Sequence, residues 1–209
     1  MEDYDSRETL LLAFEEVLAD AEFRGGPSVG VVVQAYLRDA SETLERILAS
    51  SALTRRDVPP TVRLVKGAYW DHERVIAAQR GWQPPVWEEK RESDATFERL
   101  TRRLIDAREA VRPAIATHNL RSLAHAMAYL ERSGGSPNEL ELQVLRGLGD
   151  EIAAGLSRLS HRVRVYTPIG DLVAGMAYLV RRLLENSSNQ GFLLQQRHRT
   201  LDELLEAPA

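Results

Sequence analysis

Two cations lie close together in a short apolar run, and their spacing is the strongest sign of chemistry in this sequence. Arg63 and Lys66 interrupt the run Thr61–Trp70, which is otherwise mostly apolar, small or aromatic. A cation within a buried strand costs free energy unless it meets an anion or a hydrogen-bonding ligand. The run ends in a small-residue turn followed by Tyr69 and Trp70. The pattern indicates a site for a planar anionic cofactor, with a structural ion pair to a neighbouring strand as the alternative.

A pair of arginines near the end of the chain could bind a small carboxylate. Arg181 and Arg182 share one face of a predicted helix with Glu185, opposite its apolar arc. Two guanidinium groups offer fork geometry for a carboxylate, and Glu185 could hold them in place or meet an ammonium group. The alternative is a solvated face in which Arg181 and Glu185 form an i,i+4 ion pair.

Single polar residues in other apolar segments could have either a functional or a structural role. Gln34, inside an apolar strand, must find a hydrogen-bond partner, either a ligand or the backbone. His118, which follows Thr117 at a strand end, could bind a ligand or be a capping histidine. Tyr166 could stack on a ligand or only pack at the rim. The triplet Asp71–Glu73 does not form a metal site, because adjacent side chains project in different directions, so we expect no metal.

Apolar stretches of strand length alternate with stretches of helical period along the chain. The predicted strands cover residues 29–36, 61–67, 113–119, 140–144 and 162–166. The predicted helices cover residues 7–20, 40–50, 71–80, 94–110 and 120–132, a segment after residue 144, and a long helix that runs through about 189. This alternation predicts an α/β fold with a parallel sheet and right-handed crossovers.

The positions of the polar residues favour a barrel over a doubly wound sheet. They fall at or just beyond the C-terminal ends of their strands, the rim at which a (β/α)8 barrel places its active site. These residues are Gln34, Lys66, Thr117, His118, Gln143 and Tyr166. A dinucleotide-binding domain would instead show a G-x-G-x-x-G turn, and none occurs. Five strands cannot close a barrel of eight, so about three βα units are missing.

Composition and charge exclude several classes of protein. The 209 residues carry a net charge of −4, whereas a nucleic-acid binder would normally show a basic patch, so we expect no nucleic-acid partner. No apolar run approaches the roughly 20 residues that span a bilayer. The chain has no cysteine, which excludes disulfides, thiolate metal sites and a cysteine nucleophile.

Several motifs together resemble the proline dehydrogenase family, in particular the catalytic barrel of bifunctional bacterial proline-utilisation proteins. The likeness covers essentially the whole chain, and the motifs occur in the family's order. They are Val33–Tyr36, Arg63–Trp70, Ala116–Asn119, Glu141–Gln143, Val165–Gly170 and Tyr178–Asn186.

The resemblance implies a distorted (β/α)8 barrel that binds FAD and oxidises L-proline to Δ1-pyrroline-5-carboxylate. Electrons would pass to membrane quinone, and a pyrroline-5-carboxylate dehydrogenase domain or partner could act next. A cytoplasmic location is implied, with peripheral attachment at the inner face of the membrane as a variant.

The resemblance also implies roles for individual residues. Arg63 would lie near the flavin N5 and is a catalytic candidate together with Tyr166, which would pack against the proline ring. Arg181 and Arg182 would bind the proline carboxylate, and Glu185 would support them. The residues implied to contact FAD are Gln34, Arg63, Lys66, Ala68, Trp70, Thr117 and His118.

The family also has a substrate lysine and an aspartate on earlier strands that precede Met1. We therefore expect residues 1–209 to be one partial domain, the C-terminal five βα units of the barrel without its first three strands. The chain would be a fragment of a longer enzyme or a gene product that starts at an internal methionine. The competing hypotheses are a non-catalytic remnant that serves as an interaction chain and a barrel aldolase or phosphate-binding enzyme.

Overall fold

Five parallel strands form one sheet in a computed structural model that describes residues 4–50, 56–171, 173, 175, 176, 200, 202, 203 and 206–208. The strands are β1 (Gly30–Gln34), β2 (Thr61–Val65), β3 (Arg112–Ala116), β4 (Glu141–Leu145) and β5 (Arg162–Tyr166). Their order in the sheet follows the chain, β1-β2-β3-β4-β5, with no reversal. The predicted parallel α/β sheet is confirmed.

One helix precedes β1, and helices connect each pair of consecutive strands, as parallel pairing requires. They are α1 (Arg7–Ala19), α2 (Ala40–Ala49), α3 (Trp70–Arg80), α4 (Lys90–Asp106), α5 (Leu120–Arg132) and α6 (Asp150–Arg158). Short 3₁₀ turns occur at Ala21–Phe23 and Pro137–Glu139. The helix predicted to run through residue 189 lies almost entirely outside the described residues.

The two faces of the sheet differ in chemistry. One face is apolar and packs under the helices, where Val33, Leu64 and Ile115 are fully buried against side chains such as Phe97 of α4. The opposite face, here called the polar face, carries the side chains that alternate with these. Its members include Arg63, Ala114, Ala116, Glu141, Gln143, Arg162 and Arg164. The period-2 alternation of the strands therefore separates core from candidate site.

The predicted element limits needed small corrections. Strand 29–36 ends at Gln34, because the N–H of Leu37 bonds back to the Gln34 carbonyl and turns the chain. The helix predicted at 94–110 begins four residues earlier, at Lys90. A capping box explains that start, since the Glu92 side chain accepts a 2.9 Å hydrogen bond from the N–H of Glu89.

Candidate active site

The C-terminal edge of the sheet collects most of the polar residues expected there. Gln34 ends β1 and is only 7% exposed, and Lys66 directly follows β2. Thr117 directly follows β3, and Tyr166 ends β5. Gln143 does not belong to this edge, which corrects its predicted position. It is the central residue of β4, and its side chain lies on the polar face.

Arg63 reaches across a whole strand to Gln143. Its Nε donates a 2.6 Å hydrogen bond to Gln143 Oε1, although β3 lies between their two strands. The contact is possible because β3 places only Ala114 and Ala116 beside them on the polar face. Two small side chains thus give a flat floor over which a long cation can extend. The strand-to-strand contact that the described residues give Arg63 is thus with an amide.

Glu141 anchors the other end of this contact. Its Oε1 accepts a 2.7 Å hydrogen bond from Gln143 Nε2, and both carboxylate oxygens accept bonds of 2.6 and 2.8 Å from Arg164. Arg162 adds an ion pair at 3.3 Å. Burial opposes ionisation of Glu141, but these hydrogen bonds and charges outweigh it and hold its pKa below the ordinary value. The carboxylate is therefore ionised at neutral pH.

Lys66 meets its anion on a helix and not on a strand. Its ammonium group bonds to Asp94 of α4 and lies 5.5 Å from the centre of the Phe97 ring. Burial lowers the pKa of Lys66, and Asp94 opposes that shift. Burial alone would raise the pKa of Asp94, but the ammonium groups of Lys66 and Lys90 hold it below its usual range. The predicted need for an anion is thus met within the protein, and the contact of Lys66 with FAD stays a prediction.

The turn after β2 packs against Tyr36 on one side and is exposed to solvent on the other. Gly67 adopts φ +123°, a conformation that favours glycine, and a Cβ there would run into the ring of Tyr36. Ala68, the next residue, is exposed. Trp70 begins α3 and donates a 2.7 Å hydrogen bond from Nε1 to the carbonyl of Trp87. The indole is fixed by the protein itself, and its contact with FAD, like that of Ala68, remains a prediction.

His118 has a structural partner. Its Nε2 accepts a 2.9 Å hydrogen bond from the backbone N–H of Leu145 at the end of β4, which assigns the proton of the neutral ring to Nδ1. Thr117 Oγ1 similarly accepts a 3.1 Å bond from the N–H of Asn119. The capping alternative considered for His118 is therefore realised, while the implied flavin contacts of His118 and Thr117 remain untested.

Three predicted substrate residues, Arg181, Arg182 and Glu185, lie outside the described residues. Tyr166 is described, and 54% of its surface is exposed at the sheet edge. Sequence reasoning gave no role to Glu141, Asp94 or the arginines of β5. The spacing i, i+2 in Glu141/Gln143 and in Arg162/Arg164 could have identified them, because it places each pair on one face of its strand.

Arg63 thus places a guanidinium group at the centre of β2, and Lys66 places an ammonium group directly after that strand. The family model for proline dehydrogenase matches residues 1–195. The chain belongs to the proline dehydrogenase family.

Relatives within this family differ in length. Bifunctional protein PutA of Salmonella typhimurium is 32% identical over 216 residues, which cover 99% of this chain and 16% of that protein. Proline dehydrogenase 1 of Bacillus subtilis is 28% identical over 195 residues, covering 93% of this chain and 56% of that protein. The chain therefore spans only part of the length of both relatives.

A solved structure has the same fold. Proline utilization A (PutA) from Bdellovibrio bacteriovorus, inactivated by N-propargylglycine, matches with a TM-score of 0.94 and 42% identity. The match covers all of this chain and 22% of that one. Within the described residues, no helix is both long enough and apolar enough to cross a membrane.

Proposed function

We propose that this chain forms part of an FAD-dependent enzyme that oxidises L-proline to Δ1-pyrroline-5-carboxylate and passes the electrons to a membrane quinone. The observation that carries the proposal is the proline dehydrogenase match over residues 1–195. The similarity to PutA, a bifunctional protein, supports a pyrroline-5-carboxylate dehydrogenase domain or partner as the next catalyst. A cytoplasmic protein with peripheral contact to the membrane suits this electron acceptor.

The five strands would be one arc of a (β/α)8 barrel, with residues 1–209 as a single partial domain. The sequential strand order supports this arrangement, because a doubly wound sheet reverses its order at a switch point. The polar face supports it as well. In a barrel this face would turn inward, where the interior is lined by alternate residues of every strand.

Several chemical roles would fall to residues of this chain. FAD would supply the oxidant, accepting a hydride from C5 of the proline ring. Arg63, at the centre of β2, would stabilise negative charge near N5, and Lys66 would bring a second positive charge just beyond the C-terminal end of that strand. Further FAD contacts are proposed for Gln34, Ala68, Trp70, Thr117 and His118.

Substrate binding would come from the end of the chain. Arg181 and Arg182 would clamp the proline carboxylate with Glu185 as their support, and Tyr166 would pack against the pyrrolidine. The half-exposed position of Tyr166 at the sheet edge supports access to a small ligand. A clamp of this kind raises the rate by holding the reacting atoms close together.

The test is an absorbance spectrum of the purified gene product, first with FAD and then with proline. We expect a flavin spectrum that bleaches when proline is added. Arg63→Met should slow the bleaching about 100-fold, since removing one donor from a site of developing charge costs roughly that factor. Arg158→Met, an exposed arginine of α6, serves as the control. In a gene product whose barrel is complete, the absence of bound flavin, or bound flavin that proline never bleaches, contradicts the proposed activity.

A further inference from the structure

A continuous chain of side-chain hydrogen bonds runs across the polar face, from Arg63 through Gln143 to Glu141. We propose that Gln143 is a positioning residue for Arg63, fixing the plane of the guanidinium group relative to the flavin, and that Glu141 in turn fixes the amide of Gln143. This inference rests on the proposed function, because it assumes that FAD lies beside Arg63.

The chemistry of the three groups allows only one arrangement of the amide. A guanidinium group can only donate hydrogen bonds, and an ionised carboxylate can only accept them. Gln143 satisfies both, since Oε1 accepts from Arg63 at 2.6 Å while Nε2 donates to Glu141 at 2.7 Å. A flipped amide would place donor against donor and acceptor against acceptor. The two neighbours therefore lock the orientation of Gln143.

Glu141, at the far end of this series of hydrogen bonds, has several partners of its own. Glu141 is held by a bidentate contact to Arg164 and by an ion pair to Arg162, and its side chain is only 10% exposed. Bidentate carboxylate–guanidinium pairs are geometrically specific as well as strong. The arginines of β5 thus restrain Glu141, which restrains the amide of Gln143 and, through it, the guanidinium group on β2.

A neutral link also preserves the charge of Arg63. A carboxylate in place of the amide would pair directly with the guanidinium and offset the positive charge that the flavin site needs. Gln143 instead keeps the negative charge of Glu141 one side chain away. An amide at position 143 is therefore suited to orienting the cation without neutralising it.

The first experiment needs no cofactor. In the apo protein, the Arg63 Nε–H should give a slowly exchanging ¹H–¹⁵N signal, assigned by its loss in Arg63→Met. Gln143→Met should abolish the slow exchange, whereas Gln79→Met, at an exposed glutamine of α3, should leave it intact. A signal that keeps its slow exchange in Gln143→Met overturns the proposal.

The second experiment uses the FAD-loaded gene product. Gln143→Met should slow flavin reduction by proline about tenfold to 100-fold, the scale of a small misplacement in an active site, with little change in KM. Gln143→Glu should lower the flavin midpoint potential, because the new carboxylate offsets the charge of Arg63. The double variant Gln143→Glu/Glu141→Gln restores a donor–acceptor chain of the same total charge. Relative to Gln143→Glu, it should recover part of the bleaching rate.

The outcomes separate this proposal from the proposed function. If Arg63→Met changes the midpoint potential and reduction rate but no Gln143 variant does, the positioning role is wrong and the activity stands. If the double variant is no better than Gln143→Glu, the relay through Glu141 is wrong. A gene product with a complete barrel that takes up no FAD overturns the proposed function and this role with it.

Discussion

Lys66 and Lys90 share one carboxylate, yet they occupy different environments. Asp94 bonds to both ammonium groups, but the Lys66 side chain is 23% exposed and that of Lys90 is 42% exposed. The more buried cation has fewer water molecules available to replace its partner. The same carboxylate should therefore matter more to Lys66 than to Lys90.

Asp94→Asn should destabilise the protein by about 2 kcal/mol, because it leaves a partly buried ammonium without its charged partner. Lys90→Met, which removes only the exposed partner, should cost less than about 0.5 kcal/mol. Urea unfolding of both variants at pH 7 measures the difference. Equal losses would contradict the difference in environment.

The pH dependence of Asp94→Asn follows from the pKa of Lys66, which burial already lowers. Removing Asp94 should lower this pKa further. A base with a lowered folded pKa binds fewer protons folded than unfolded, so stability rises with pH between the two values. The deficit of Asp94→Asn against wild type should shrink from pH 7 toward pH 10, and a deficit that does not shrink would argue against a charged Lys66 at pH 7.

At the scale of single residues, the sequence predicted that a buried cation needs an anion or a ligand, but it did not identify that anion. Two cations in a buried strand had to meet anions or ligands, and that inference holds for Lys66. Its partner Asp94 lies 28 residues later on a helix. Nothing in the local pattern distinguishes that carboxylate from its neighbours, because the choice depends on how α4 packs against β2.

At the scale of elements, Gly149 lets α6 begin close to the ends of β3 and β4. A Cβ at Gly149 would lie 2.7 Å from the Cβ of Val144 and 3.0 Å from the ring of His118. Glycine at this position is thus required by close approach, since its backbone has an ordinary negative φ of −118°.

Gly149→Ala should cost about 1–3 kcal/mol, because the added methyl group pushes His118 away from the N–H of Leu145. Gly155→Ala is the matched control, since Gly155 lies inside α6 with open space around its Cβ. That variant should gain about 0.5–1 kcal/mol from helix propensity. Thermal unfolding of both proteins checks the opposite signs.

Glu141 of β4 binds arginines of β5, and these contacts should weaken in acid. Its pKa is lowered in the folded state, so its contribution is present above the unfolded pKa, about 4.3, and is lost as pH falls through the folded value. Glu141→Gln should lose about 1–2 kcal/mol at pH 7 and show a flatter decline in stability below pH 4.5. Urea midpoints between pH 3 and 7 measure this, and parallel curves for both proteins would contradict it.

The sequence predicted these elements well because each strand carries a clear apolar signal bounded by turns. It predicted the polar face less well. Gln143 was expected at the rim, because its strand was predicted to begin and end one residue too early. The prediction also considered only where Gln143 lies along the strand and not which face of the sheet its side chain occupies. The hydrogen bond from Arg63 across β3 depends on the register of three strands and on two alanines, which only the assembled sheet reveals.

At the scale of the whole molecule, β1 and β5 are the outer strands of the sheet within the described part of the chain. Large apolar side chains are exposed near β5, with Ile169 at 96% and Leu159 at 61%. Open strand edges and exposed apolar surface both favour association. The chain expressed alone should therefore self-associate with rising concentration.

A proline on the outer side of β1 tests this expectation. The N–H of Thr61 bonds to the Val29 carbonyl and that of Ala35 to the Val65 carbonyl, so odd-numbered residues of β1 face β2. The N–H of Val32 consequently points to the open edge. Val32→Pro should keep the fold and weaken association, whereas Val33→Pro should cost about 3 kcal/mol or more by removing a hydrogen bond to β2.

Sedimentation velocity and thermal unfolding, read together, distinguish an open edge from a closed barrel. For the chain alone, Val32→Pro should shift the population toward monomer with little change in melting temperature. In a longer gene product whose barrel is complete, another strand would bond to the Val32 N–H, and the same substitution should then destabilise the protein about as much as Val33→Pro does. A harmless Val32→Pro in that longer protein would mean that β1 is a true edge and that the five strands do not belong to a closed barrel.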